Sequence, residues 1–94
     1  MKITFDPGKD IRNRAKHGIS LAEAENIDWE KSVEWVDRRF DYRETRICAL
    51  APIGRRIFFV LYVTRDLQRR IIGLRKANER EVRKYALQRK ASAD

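Results

Sequence analysis

The chain holds a single histidine, His17, in the stretch AKHGIS at Ala15–Ser20. A histidine takes or gives a proton near neutral pH, and the residue before it, Lys16, is a cation. Glu44 and Arg46 lie two apart, which puts both side chains on one face of an extended segment. Arg75 closes an apolar run directly after Leu74. Signatures of other chemistries are missing from the sequence: there is no Cys/His pair at zinc spacing, no glycine-rich phosphate loop and no Ser-His-Asp set. What remains suits cleavage of an RNA phosphodiester without a metal. A base takes the proton of a ribose 2′-hydroxyl, cations bear the charge on the pentavalent phosphate, and an acid protonates the departing 5′-oxygen. Arginines grip non-bridging oxygens with a planar fork. A glutamate among arginines either acts as the base or holds an arginine in place.

Each of these residues also has a purely structural reading. Lys16 and His17 fall in the last turn of a helix, where cations complement the macrodipole, and Gly18 is a natural helix stop. On spacing alone that reading comes first for His17. A cross-strand charge pair comes first for Glu44 and Arg46, and a solvated basic edge stands level with phosphate binding for Arg75. Trp29 and Trp35 are able to stack bases, but packing comes first for such large apolar rings.

Charge points the same way as the chemistry. Lys and Arg number 22 against 14 Asp and Glu, a net charge of +8 on 94 residues. A domain that basic expects a polyanion. The charge is also segregated: residues 65–90 hold ten basic and three acidic residues, 9–16 hold four and one, and 20–44 hold four and eight. The longest apolar run, Ile57–Val63, is too short to span a bilayer, and nothing reads as a signal peptide. The one cysteine, Cys48, sits in an apolar alternation and reads as a small buried hydrophobe. These features lead to an expected cytoplasmic location, with no cofactor and no membrane partner.

The elements that must position these residues read as one α+β domain over 1–94. MKITFD alternates as a short strand, which Asp6-Pro7-Gly8 breaks. A short helix follows from Lys9 to His17, and SLAE at Ser20–Glu23 reads as a capping box opening a second short helix. Strands are expected in SVEWVD, TRICALAP, RRIFFVLYVT and RRIIGLR, the last with Ile72 and Leu74 on one face and Ile71 on the other. Together they make an antiparallel meander of about four strands. RRFDYRE reads as a loop. Lys76–Lys90 closes the chain as a helix with Ala77, Val82, Tyr85 and Ala86 as its apolar stripe.

At this level of detail the sequence resembles the BrnT toxin family. The opening matches its N-x-x-K-H-G-I and E-A pattern at Asn13, Lys16, His17, Gly18, Ile19, Glu23 and Ala24, after Phe5 and Asp6. Glu44 and Arg46 match its E-x-R stretch. Its R-I-I-S-A-R-x-A-x-x-x-E-x-x-x-Y signature falls on Arg70, Ile71, Ile72, Arg75, Ala77, Glu81 and Tyr85. Gly73 departs from the usual serine, Leu74 from a frequent alanine, and Thr4 from an aromatic. The resemblance implies a RelE-like fold and a ribonuclease that halts translation. It implies as partner a BrnA-like ribbon-helix-helix antitoxin, through which alone operator DNA is contacted. Carried over residue by residue, the catalytic candidates are Lys16, His17, Glu44, Arg46 and Arg75, with Arg65, Arg69 and Arg70 as RNA phosphate contacts. His17 and Glu44 would transfer protons. Two rival readings use the same charge: a non-catalytic nucleic-acid-binding regulator, and a basic surface that docks an acidic antitoxin.

Overall fold

The computed structural model describes residues 1–39 and 43–93. Phe40, Asp41 and Tyr42, in the expected loop, lie outside the described residues, as does Asp94. The elements are β1 (Lys2–Phe5), α1 (Pro7–His17), two 3-10 helices (Leu21–Asn26 and Trp29–Lys31), β2 (Val33–Val36), β3 (Ile47–Ile53), β4 (Arg56–Arg65), β5 (Gln68–Lys76) and α2 (Glu79–Ala93).

The α+β class holds, with one addition. The antiparallel meander β2–β3–β4–β5 is present, but the sheet has five strands in the order β1-β5-β4-β3-β2, and β1 lies parallel to β5. The first strand therefore completes a mixed sheet, pairing Lys2 with Gln68 and Phe5 with Ile71. Nothing local announces such a pairing between segments so far apart in sequence.

Local chemistry explains most boundaries. Asp6 caps α1 by accepting from the Gly8 amide at 3.3 Å, and Pro7 takes the first helical position. Proline suits that position because the first-turn amides lack helical acceptors anyway. The expected breaker is thus the start of the helix. Gly18 closes it at φ 72°, a left-handed conformation that glycine adopts without a Cβ penalty. The β4–β5 hairpin turns through two residues, Asp66 and Leu67, both at positive φ, as its tight twisted turn demands.

The main core cluster lies on one face of the sheet, while Cys48, Leu50 and Val63 are buried on the other. Ile3, Ala49, Ala51, Phe58, Val60, Tyr62, Ile71 and Leu74 pack against Leu21, Ala24 and Ile27 of the connecting segment. Each fully buried leucine or isoleucine there contributes ~1.5–3 kcal/mol. Ile71 and Leu74 share this face because Ile72 is an inserted bulge residue: Leu61 pairs with Gly73 and Tyr62 with Ile71. Simple alternation had put Ile71 and Leu74 on opposite faces, and the bulge corrects that. Cys48 is buried, as expected, on β3.

Helix α2 packs differently from expectation. Lys76 ends β5, and the helix starts only at Glu79. Of the expected apolar stripe Ala77, which precedes the helix, and Tyr85 are partly covered, the Tyr85 hydroxyl donating to the Lys31 carbonyl at 2.7 Å. Val82 and Ala86 face solvent. Polar groups hold the helix instead, by Glu81 to Arg75 and by Lys84 lying 3.6 Å over the Trp35 ring.

Candidate active site

The end of α1 is fixed on β5 by one buried amide. Among the described residues no strand pairs with β5 on its β1 side beyond Phe5, so the backbone of Leu74 needs another partner. Asn13 supplies it. Its Nδ2 donates to the Leu74 carbonyl at 2.8 Å, and its Oδ1 accepts from the Leu74 amide at 3.2 Å. The same Nδ2 donates to the Ile19 carbonyl at 2.9 Å, which ties the loop after α1 to the sheet. Asp10 secures the next turn by accepting from the Ser20 hydroxyl at 2.9 Å and the Leu21 amide at 2.7 Å. The expected Ser20–Glu23 box does not form. Ser20 accepts from Ala22, while the Glu23 carboxylate accepts from Asn26. The segment is a tight 3-10 helix capped from α1.

These bonds deliver Lys16 and His17 to a cleft. Lys9, Arg12, Asn13, Lys16, His17, Ile72 and Gly73 line a space of about 400 Å³ between α1 and β5. His17 also borders a second hollow of about 480 Å³ with Phe58 and Lys76. The imidazole is exposed. Desolvation first, then the cations of Lys16 and Arg75, hold its pKa below the ordinary 6.5. The neutral imidazole, able to accept a proton, therefore prevails at neutral pH. Gly73 leaves the floor of the first cleft open: a Cβ built there meets nothing within 4 Å.

Arg75 is held on the other face of β5. Its guanidinium lies 4.3 Å over the Phe59 ring and donates to both oxygens of Glu81, at 2.8 and 3.0 Å. Glu81 also accepts from the Asn78 amide at 2.9 Å, while its own amide donates to the Asn78 side chain at 2.8 Å. This is a reciprocal cap on α2, so one carboxylate starts the helix and aims the arginine. The Arg75 hydrogen bonds, chiefly, depress the Glu81 pKa. Arg75 borders a groove of about 480 Å³ with Trp35, Asp37, Arg38, Arg39, Cys48 and Phe59. Trp35 and Phe59 sit 6.3 Å apart, an aromatic floor edged by cations.

The remaining sequence candidates form two further groups. Glu44 forks onto Arg65, accepting from its Nε at 2.6 Å. Arg46 and Arg70 are close enough to lower the Glu44 pKa further, after the dominant Arg65 hydrogen bond. Arg69 stands elsewhere again, its guanidinium 3.9 Å over Trp29 and 5.6 Å from the Tyr62 ring centroid. Trp29 meets Tyr62 edge-on at 5.4 Å, so its packing role is the observed one. The two expected proton-transfer residues are far apart. Glu44 sits at Arg65 and His17 beside Phe58, seven residues along β4, roughly 23 Å at ~3.3 Å per residue. They do not flank one phosphate.

Three comparisons bear on these groups. Residues 5–81 match the family of ribonuclease toxins, BrnT, of type II toxin–antitoxin systems. The chain belongs to the BrnT family. Its fold is similar to the crystal structure of the Brucella abortus ribonuclease toxin BrnT, with TM-score 0.66 and 24% identity over 84% of this chain and 99% of that one. No curated protein matches.

In this BrnT chain the matched span contains the residues that sequence reasoning left without a role. Asn13 and Glu81 were seen only as letters of a pattern, yet they place His17 and Arg75. Asn78, three residues before Glu81, is the one local signal that marks the cap. Asp10, ten residues before Ser20, carries none. Among the described residues, no three His, Cys, Asp or Glu side chains gather as metal ligands would. No described helix is long and apolar enough to cross a membrane.

Proposed function

We propose that this BrnT chain is a metal-independent endoribonuclease, one RelE-like domain acting in the cytoplasm to halt translation by cutting RNA. The observation that carries the reading is the cleft in which His17 stands with the cations of Lys9, Arg12 and Lys16, in a chain of the ribonuclease-toxin family. Neutral His17 takes the 2′-hydroxyl proton. The freed oxygen attacks phosphorus, Arg75 bears the charge of the pentavalent phosphate, and Lys16 is the adjacent cationic donor for the departing 5′-oxygen. Glu44 serves here as the anchor of Arg65. With Arg46 and Arg70 it forms a second cationic station for the RNA backbone along the β4–β5 hairpin, and Arg69 contributes through Trp29. A ribbon-helix-helix antitoxin of the BrnA type restrains the enzyme and alone contacts operator DNA.

The test is RNA cleavage by the purified chain in excess chelator, with His17→Ala and Arg75→Ala as controls of unchanged fold. Cleavage in chelator, lost in both variants, is the expected result. RNA bound but left uncut would point to a non-catalytic binding module, and cleavage restored only by a divalent ion would end the metal-free reading.

A further inference from the structure

Helix α2 has a finished face and an unfinished one. Glu81, Lys84 and Tyr85 engage the sheet side through Arg75, Trp35 and the Lys31 carbonyl. The outward face carries Val82, Ala86 and Leu87, with Val82 43% and Leu87 70% exposed. Its N-terminal end opens onto a hollow of about 330 Å³ lined by Arg56, Ile57, Ala77, Glu79, Val82 and Arg83. The floor is aliphatic. The rim carries two arginines and one glutamate, and Arg83, Leu87 and Lys90 continue along the helix at three- and four-residue spacing.

An aliphatic socket within a cationic rim fits one kind of partner better than another. RNA satisfies arginines but brings no aliphatic group to fill the space between Ile57 and Val82. A polypeptide with aliphatic side chains flanked by carboxylates satisfies both, burying the socket and forking onto Arg56 and Arg83. A type II system supplies a protein antitoxin. We propose that the outer face of α2 and the Ile57–Val82 socket dock a segment of the antitoxin in which aliphatic residues alternate with Asp or Glu. The proposal rests on the family's need of an antitoxin and is independent of the chemistry at His17, whose clefts share no lining residue with the socket.

The experiment uses the full chain with Val82→Glu, Arg83→Glu and, as a further surface variant, Leu87→Glu. Circular dichroism checks each fold. Calorimetry measures affinity for the purified antitoxin of the same operon, and a cleavage assay measures free-toxin activity. Val82→Glu and Arg83→Glu should each weaken antitoxin binding about tenfold or more and leave RNA cleavage unchanged, while Arg83→Lys retains most of the affinity. Unchanged antitoxin affinity in all three charge variants would overturn the proposal. So would loss of RNA binding with antitoxin binding intact, since the face would then belong to RNA. Weakened antitoxin binding in a preparation whose unaltered chain leaves RNA uncut would uphold the dock and remove the ribonuclease reading instead.

Discussion

The β4–β5 hairpin has an arginine–carboxylate fork at each end, and the two are built differently. Arg75–Glu81 is half-buried, with side chains 32% and 18% exposed; Arg65–Glu44 stands in solvent at 52% and 43%. The first is braced by Phe59, the α2 cap and the Asn13-tethered strand behind it. The second joins two exposed side chains at a hairpin tip. The same pair of groups therefore acts as a fixed part of a site at one end and as an adjustable surface contact at the other.

The largest effect expected of this difference is catalytic. His17→Ala should lower cleavage ~10²–10⁴-fold, and Glu44→Gln less than about tenfold, both read as single-turnover rates on one RNA. Equal losses would unite the two ends into one site. Next comes Asn13→Ala, which strands the Leu74 amide and carbonyl at ~1–3 kcal/mol each. Denaturant unfolding should show a loss of about 2–6 kcal/mol, and cleavage should fall as the His17 loop comes loose. Glu81→Gln should cost about 1–2 kcal/mol by the same measurement, whereas Glu44→Gln should leave the midpoint where it was. The Glu81 contribution has a direction in pH. Its folded pKa lies below the ordinary 4.5, so the stabilisation is complete above that value and is lost as pH falls through the folded pKa. The smallest effect is a shift in the rate profile. Because the His17 pKa is lowered from 6.5, cleavage should rise with an apparent pKa below 6.5 and be level by neutral pH. A rising limb above 6.5 would remove His17 as the base.

Local signals and distant ones differed in how far the sequence disclosed them. The Gly18 stop, the five strands and the lone His17 at a helix end are properties of neighbouring residues, and they were legible. Grouping was not. Nothing in DYRETR says that Glu44 will meet Arg65 rather than His17, because the answer depends on hairpin register. The Ile72 bulge, which puts Ile71 and Leu74 on one face, is invisible to a period-two pattern. Ser20 looked like a self-contained cap because the ten-residue contact with Asp10 has no periodic signature. The α2 stripe is split: Ala77 and Tyr85 are partly covered while Val82 and Ala86 face solvent, because the contacts of Glu81 and Lys84 decide which way the helix turns.

The parallel pairing of β1 with β5 also sets a schedule. Lys2 finds Gln68 only after the intervening residues exist, and closing so long a loop is slow and comes late in folding. Lys16 and His17 are made early on the ribosome, but the amide that seats them, Asn13, has nothing to hold until Leu74 has emerged. The cleft that seats Lys16 and His17 therefore closes only after β5 is in place.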